Sequence, residues 1–171
     1  MNRPVIYTDF DGVLNAFPDS KIQRRGGVGH TGWLKPDDPR ASLYSSDHAF
    51  PLTGNLVVEA PPGRYRLRWS RELADGFHKL AVAGMIELAW LTTWQPYCVN
   101  TLDPALGWNP DIVHTVRWYD PVTRDGILTG KRRTILDALK QDRPIVWLDD
   151  EETTYNAGLA IQATPHEAPV L

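Results

Sequence analysis

The stretch PVIYTDFDGVLN, residues 4–15, decides the fold of this chain of 171 residues. Its first half is a continuous apolar run, which is typical of a parallel strand buried on both faces of a sheet. Asp9 and Asp11 follow at the point where that strand should end. Because open α/β sheets bind ligands at the carboxyl ends of their strands, the stretch predicts a site built on these two carboxylates.

Three more segments place polar side chains beside a predicted strand end or helix start: LTTW (91–94), GKRR (130–133) and WLDDEE (147–152). Two of them follow the apolar runs IELAWL (86–91) and PIVWL (144–148). If these strands are parallel and adjacent, their ends meet at one edge of the sheet. The side chains expected there are those of Asp9, Asp11, Thr92, Lys131, Asp149 and Asp150.

Several carboxylates held this close repel one another, and a bound cation relieves the repulsion. Mg2+ prefers oxygen ligands, takes one or two carboxylates and leaves its other positions to water and phosphate. Lys131 offers a positive charge and Thr92 a hydroxyl to phosphate oxygens. An aspartate nucleophile can form an aspartyl-phosphate, and an aspartate two residues on can transfer the proton. The pattern therefore predicts phosphoryl chemistry.

In type and order, DFDGVL, LTTW, GKRRTIL and WLDDE resemble the motifs of the haloacid dehalogenase-like (HAD) phosphohydrolases, and the matches span residues 4–152. The resemblance implies a phosphatase in which Asp9 is the nucleophile and Asp11 the general acid/base. Aspartate at position 11 is the residue that hydrolases of this family carry, whereas their transport ATPases carry threonine there. Thr92 and Lys131 are then phosphate ligands. The expected Mg2+ ligands are Asp9, Asp11 (through its carbonyl), Asp149 and Asp150, and which acidic residue of the DDEE run contacts the metal stays open.

Each segment also has an ordinary structural interpretation. Asp11-Gly12 is typical of a hairpin turn. Thr92 and Thr93 could cap a helix, the DDEE run could favour a helix N-terminus, and the GKRR segment could be a solvated face. The four segments together, in this order and mostly at strand ends, favour the site.

The alternation of strand-like and helix-like segments predicts a three-layer, Rossmann-like α/β fold, with a mainly parallel sheet and helices on both faces. One domain is expected over residues 1–171, with a loop and β-hairpin insert, or flap, at about 15–69. The predicted strands are 4–8, 56–60, 64–69, 86–91, 111–118 and 144–148, and the predicted helices are 71–83, 96–102, 131–140 and 153–158. A further short strand is expected at 161–164.

In the second hairpin strand, Arg64, Arg66 and Arg68 share one face, and apolar side chains share the other. A basic face beside an anionic site suits a nucleotide or a nucleic-acid backbone, although solvated arginines are the commoner outcome. Thr93 and Trp94 are further candidates for substrate binding. Trp94 could stack on a base, but packing is the favoured interpretation of this tryptophan, and Trp33 in the flap has the same two interpretations.

Composition excludes several classes of protein. The net charge of −3, with 42% hydrophobic and 23% charged residues, is ordinary for a globular domain. Cys98 is the single cysteine, so no intrachain disulfide forms, and a small semi-buried residue is its favoured interpretation. No apolar run is long enough to span a bilayer and no signal-peptide core is present, so we expect a cytoplasmic protein without a membrane partner.

The expected function is a Mg2+-dependent phosphatase for a phosphomonoester, with a phosphorylated small molecule, a nucleotide or a nucleic-acid end as the substrate. One alternative is a catalytically weak HAD-like protein that binds a phosphorylated partner. Another is a phospho-receiver module, but there an acidic pair comes first and the phosphorylated aspartate lies mid-chain, before the lysine. Here the acidic pair follows Lys131, which disfavours that class.

Overall fold

A computed structural model describes residues 3–16, 50–61, 63–119 and 130–171. A four-stranded sheet has the order β5-β4-β1-β6, and all three of its strand pairs are parallel. A two-stranded antiparallel hairpin, β2-β3, accompanies it. The strands are β1 (Val5–Thr8), β2 (Gly54–Ala60), β3 (Gly63–Trp69), β4 (Glu87–Trp90), β5 (Val113–Thr115) and β6 (Ile145–Leu148).

Four α-helices are described: α1 (Arg71–Val82), α2 (Asp103–Leu106), α3 (Lys131–Leu139) and α4 (Tyr155–Gln162). A 3₁₀ turn (Gln95–Tyr97) and a π-helical turn (Cys98–Leu102) lead into α2. Helix α1 begins where predicted because the Ser70 hydroxyl accepts a hydrogen bond from the Leu73 N–H. No helix in the described ranges has the length and apolar character needed to cross a membrane.

Apolar side chains pack on both faces of the sheet. Ile6 and Trp90 belong to one core cluster together with residues of α1, α2 and the hairpin. Tyr7 and Trp147 belong to a second cluster that includes residues of α3 and α4. Successive strand residues point to opposite faces, which explains why neighbours in β1 enter different clusters. The mixed α/β architecture and the mainly parallel sheet are therefore as predicted, and the arrangement is consistent with a Rossmann-like fold.

The C-terminal region differs from the prediction. Residues 161–164, expected as a strand, include the end of α4, and the strand-like pairing with β6 occurs instead at Val170, opposite Ile145. The helix predicted at 153–158 extends to Gln162 because its continuation packs Ala157 and Ile161, four residues apart, into the second cluster. Most of the predicted flap, including Trp33, lies outside the described residues.

A buried acid, Asp103, lies in the first core beside Trp90. Its Oδ1 accepts a hydrogen bond of 2.8 Å from the Trp90 indole N–H, and its Oδ2 has no hydrogen-bond partner among the described residues. Burial raises the pKa of Asp103, and the hydrogen bond from Trp90 and the nearby His78 offset only part of that rise. Burial likewise raises the pKa of the neighbouring Cys98 thiol to about 12, so this cysteine stays an unreactive core residue.

The raised pKa of Asp103 predicts a pH effect on stability. A folded-state pKa above the unfolded value means that the native protein binds this proton more tightly, so stability is lost as pH rises through that pKa. Asp103→Asn keeps an oxygen for Trp90 and removes the charge. Its free energy of unfolding should therefore improve relative to wild type as pH rises above about 4, the ordinary pKa of an aspartate, toward the raised pKa of Asp103.

Urea melts of both proteins at several pH values measure this difference. The exposed Asp111→Asn is the matched control and should follow the wild-type pH profile. A constant difference between Asp103→Asn and wild type at all pH values would contradict the prediction.

Candidate active site

Three adjacent parallel strands end at the candidate site. Asp9 follows β1, Thr92 lies two residues beyond β4, and Asp149 follows β6. Backbone hydrogen bonds continue past the strand ends, from Asp9 N–H to the Leu148 carbonyl (2.8 Å) and from Leu91 N–H to the Thr8 carbonyl (2.9 Å). The three polar residues are buried. Parallel pairing thus brings together side chains separated by up to 140 positions in the chain, counted from Asp9 to Asp149.

The ammonium of Lys131 bridges two of the carboxylates. Its Nζ lies 2.5 Å from Asp9 Oδ2 and 2.7 Å from Asp149 Oδ2, and the lysine is only 4% exposed. Lys131 is the first residue of α3, and Gly130 before it has a φ of 76°, a value that glycine adopts without strain. Gly130 therefore lets the chain turn into α3 with Lys131 directed at the carboxylates.

Burial and charge shift two pKa values at this bridge. Burial alone would lower the pKa of the Lys131 ammonium, but hydrogen bonds and attraction from Asp149 and Asp9 outweigh it and raise that pKa. Burial raises the pKa of Asp9, while hydrogen bonds from Lys131, Thr92 and the Phe10 N–H oppose the rise. The lysine therefore stays charged, and its charge favours the ionised form of Asp9.

Both oxygens of Asp149 are engaged by the protein. Oδ2 accepts from Lys131, and Oδ1 accepts from the N–H groups of Glu151 (3.0 Å) and Glu152 (2.7 Å). Asp150 is exposed and its carboxylate lies against Gly12, where a Cβ atom would overlap it. The φ of Gly12 is also positive, at 80°. Glycine at position 12 thus allows the loop after β1 to approach the acidic pair after β6.

One carboxylate oxygen each from Asp9, Asp149 and Asp150 lie within 4.8 Å of one another. These three carboxylates outnumber the Lys131 ammonium that bridges two of them, and a divalent cation would balance the excess negative charge. Oxygen donors suit hard divalent cations such as Mg2+. The residues present therefore fit a divalent metal, with one carboxylate oxygen from each of Asp9, Asp149 and Asp150 as the candidate ligand atoms.

The side chain of Asp11 is held apart from this acidic cluster. Its Oδ1 accepts a hydrogen bond of 2.7 Å from Asn15 Nδ2, and its Oδ2 accepts one of 2.9 Å from the Trp94 indole N–H. The half-buried carboxylate lines a cavity of about 620 Å³ between the hairpin and the loop after β4. Asp11 is thus placed at the wall of a cavity large enough for an organic group.

Of the predicted substrate-binding residues, Thr93, Trp94, Arg64 and Arg66 line this cavity. Trp94 is only 8% exposed and packs edge-on against aromatic neighbours, which agrees with the packing interpretation. Arg68 meets the site through its backbone, since its N–H donates to Asn15 Oδ1 at 2.7 Å. The alternation in β3 is as expected, with Leu67 and Trp69 buried on the opposite face.

Sequence reasoning missed three residues that shape the site. Asn15 holds Asp11, Gly12 accommodates Asp150, and Trp118 both donates its indole N–H to the Thr92 carbonyl (3.0 Å) and places its ring 5.7 Å from the Lys131 Nζ. Asn15 and Gly12 belong to the DFDGVLN segment and could have been singled out there. Trp118 carries no local signal, because its contacts are with residues that are distant in sequence.

Comparisons of the chain with models of known protein families, with curated proteins and with solved structures found no match. The interpretation of the site therefore depends on its own geometry and on the motifs that its sequence carries.

Proposed function

We propose that this protein is a HAD-like phosphatase of Rossmann-like fold that hydrolyses phosphomonoesters in a Mg2+-dependent reaction through an aspartyl-phosphate on Asp9. The observation that carries the proposal is the buried bridge of Lys131 between Asp9 and Asp149, with Asp150 beside it, at the ends of neighbouring parallel strands. A purely structural ion pair needs one carboxylate for one ammonium. The extra carboxylates favour a site that binds both a cation and an anion.

In the proposed reaction, an oxygen of Asp9 forms a bond to phosphorus as the bond from phosphorus to the leaving-group oxygen breaks. The carboxyl proton of Asp11 passes to the departing oxygen. Asp11 then takes a proton from a water molecule, whose oxygen attacks the phosphorus of the aspartyl-phosphate. This second step releases inorganic phosphate and restores both aspartates.

The surrounding residues supply charge and orientation. Lys131 and the Thr92 hydroxyl would bind the phosphoryl oxygens, which carry negative charge throughout the reaction. Asp9, the Asp11 carbonyl and the Asp149–Asp150 pair would hold Mg2+, and Asp149 also fixes Lys131. When bound, the metal neutralises phosphoryl charge as a Lewis acid. The hydrogen bond of 2.6 Å from the Phe10 N–H to Asp9 Oδ1 fixes the nucleophile.

A panel of phosphate esters, assayed with purified protein with and without Mg2+, tests the function. We expect hydrolysis of an aryl phosphate with Mg2+ and its loss after treatment with EDTA, with recovery on adding Mg2+ back. Binding of phosphorylated compounds without turnover would instead support the alternative of a catalytically weak binding protein. Equal hydrolysis in EDTA would contradict the metal dependence.

The cavity beside Asp11 favours a nucleotide or a nucleic-acid end as the substrate. The leaving group must lie next to the residue that protonates it, and Asp11 lines this cavity together with aromatic and cationic side chains. Tyr65 and Tyr97 are half-buried and offer aromatic surface, and Arg64 and Arg66 offer positive charge. A nucleotide combines a ring system with additional anionic groups, and thus matches both kinds of side chain.

Removal of the three hairpin arginines tests this substrate class. The Arg64/Arg66/Arg68 triple alanine variant should lose roughly tenfold or more in kcat/KM for a phosphorylated oligonucleotide at low salt, because the charges of Arg64 and Arg66 at the cavity and of the half-buried Arg68 beside them are lost together. The value for a small aryl phosphate should change little. Added salt should reduce the difference in kcat/KM between the wild type and this variant on the oligonucleotide.

A triple alanine variant of Lys79, Arg133 and Lys140 removes the same charge from exposed positions elsewhere. It should retain activity on the oligonucleotide. If both triple variants behave alike, the hairpin arginines are ordinary solvated surface.

A further inference from the structure

Both oxygens of the Asp11 carboxylate are held by neutral donors from different parts of the chain. Asn15 Nδ2 binds Oδ1 and the Trp94 indole N–H binds Oδ2, at 2.7 and 2.9 Å. A carboxyl group with a single partner could rotate about its side-chain bonds. Two donors, one on each oxygen, fix the plane of the group at the wall of the cavity.

Asn15 is itself oriented by the hairpin. Its Oδ1 accepts the Arg68 N–H at 2.7 Å, and the N–H of Ala16 donates to the Arg68 carbonyl, also at 2.7 Å. Asn15 is only 6% exposed. Since the amide oxygen is used by β3, the amide nitrogen must face Asp11. An asparagine can accept from one side and donate to the other, whereas an aspartate can only accept.

Trp94 is oriented by aromatic packing from two sides. Its ring meets Phe10 edge-on, with centroids 5.7 Å apart, and Tyr65 of β3 in the same manner at 5.0 Å. These contacts leave the indole N–H directed at Asp11 Oδ2. Strand β3 therefore supports both donors, Asn15 through the Arg68 backbone and Trp94 through the Tyr65 ring.

We propose that Asn15 and Trp94 are positioning residues that fix the Asp11 carboxyl toward the leaving group, and that the hairpin β2-β3 couples the cavity wall to this acid/base. The inference rests on the proposed function. Residues 65 and 67 of β3 line the cavity, while residue 68 binds Asn15. The strand that contacts the leaving group is thus the strand that holds the acid which protonates it.

Leaving-group dependence tests the proposal. Trp94→Phe keeps most of the ring and removes the N–H. Asn15→Asp keeps the acceptor for Arg68 and replaces the donor by a second carboxylate, which repels that of Asp11. For each variant, kcat and KM are measured on p-nitrophenyl phosphate, whose leaving group needs little protonation, and on an alkyl phosphate, whose leaving group needs it. We expect kcat on the alkyl ester to fall at least about tenfold, part of the roughly 10²–10⁴-fold that a positioned acid contributes.

On p-nitrophenyl phosphate both variants should stay within a few-fold of wild type, and KM should change little on either ester. Asp11→Asn removes the acid itself, so it should show the largest ratio of kcat on p-nitrophenyl phosphate to kcat on the alkyl phosphate. Trp108→Phe is the matched control, because the buried Trp108 indole N–H donates to the Ala74 carbonyl away from the site. It should leave the ratio of the two kcat values unchanged.

The positioning role would be overturned if kcat fell equally on both esters in Asn15→Asp and Trp94→Phe, or if kcat fell in neither variant. The proposed function would still stand. A wild-type protein that hydrolyses neither ester would overturn the proposed function, and this inference with it. Asn15→Asp retains the contact with β3, so the test does not depend on the folding of Trp94→Phe alone.

Discussion

Asp9→Asn is expected to lower kcat for an aryl phosphate by about 10⁴-fold or more, the scale on which enzymes lose activity when one member of a concerted catalytic group is removed. The amide is nearly isosteric with the carboxylate but is a poor nucleophile and a weaker metal ligand. The single oxygen of the variant's amide can accept from the Phe10 N–H, which binds Asp9 Oδ1 in the wild type, and Lys131 keeps Asp149 as its partner when Asp9 Oδ2 is replaced. The fold should therefore survive, as circular dichroism and thermal melting would show.

The control for this variant is Asp111→Asn, the same change at an exposed aspartate, which should retain wild-type kinetics. Chemical trapping adds a direct readout, because borohydride reduces an aspartyl-phosphate and mass spectrometry then locates the modified residue. We expect the modification at residue 9 in the wild type during turnover. Full activity in Asp9→Asn, or trapping at another carboxylate, would refute the proposed role of Asp9.

The sheet could be predicted from sequence because its strands carry strong local signals. The apolar runs that begin at Pro4 and Pro144 are long enough, and rich enough in β-branched residues, to predict β1 and β6 to within one residue of their observed bounds. Strand β5 was predicted at 111–118 but spans only Val113–Thr115. It is an edge strand, so its length depends on pairing with β4 and not on its own composition.

The segment after β4 shows where local signals fail. A short helix was expected at 96–102, but the chain passes through a 3₁₀ turn and a π-helical turn and continues as α2 to Leu106. These turns bury Cys98 and Leu102 in the first core, and α2 buries Asp103 against Trp90. Tertiary packing, which no short window of sequence contains, determines this geometry.

The candidate site, too, was predictable from the sequence only in part. Aspartates at strand ends are visible in sequence because parallel pairing brings all such ends to one edge. The grouping of Asp9, Asp149 and Asp150 follows from that rule. The separate position of Asp11 does not, because its partners Asn15 and Trp94 are oriented by the hairpin, whose place over the sheet is set by packing. The sequence therefore predicts which carboxylates lie together. The hydrogen bonds that orient each of them are known only from the structure.

Lys131→Met is expected to destabilise the protein by about 3–5 kcal/mol in the absence of Mg2+, which is the cost of breaking a buried ion pair by removing one partner. The side chain of Asp149 is fully buried and that of Asp9 is 9% exposed, so water cannot solvate the carboxylates left behind. Because the pKa of Lys131 is raised above 10.5, its stabilising contribution is complete below about pH 10 and is lost only at higher pH. The lower free energy of unfolding of Lys131→Met should therefore persist from about pH 6 to about pH 9.

The same variant should respond more strongly to Mg2+ than the wild type does. With the ammonium gone, Asp9 and Asp149 lose the cation that bridges them, so a divalent ion that binds only the folded state should raise the melting temperature more than in the wild type. Phosphatase activity should remain lost, because the metal cannot replace the lysine at the phosphoryl oxygens. Lys140→Met is the matched control: that lysine pairs with Asp137 at the surface and is 66% exposed, so its loss should cost less than about 1 kcal/mol. If Mg2+ raises the melting temperature equally in Lys131→Met, Lys140→Met and the wild type, these carboxylates do not form the metal site. That result would leave the proposed role of Asp9 as the nucleophile untouched.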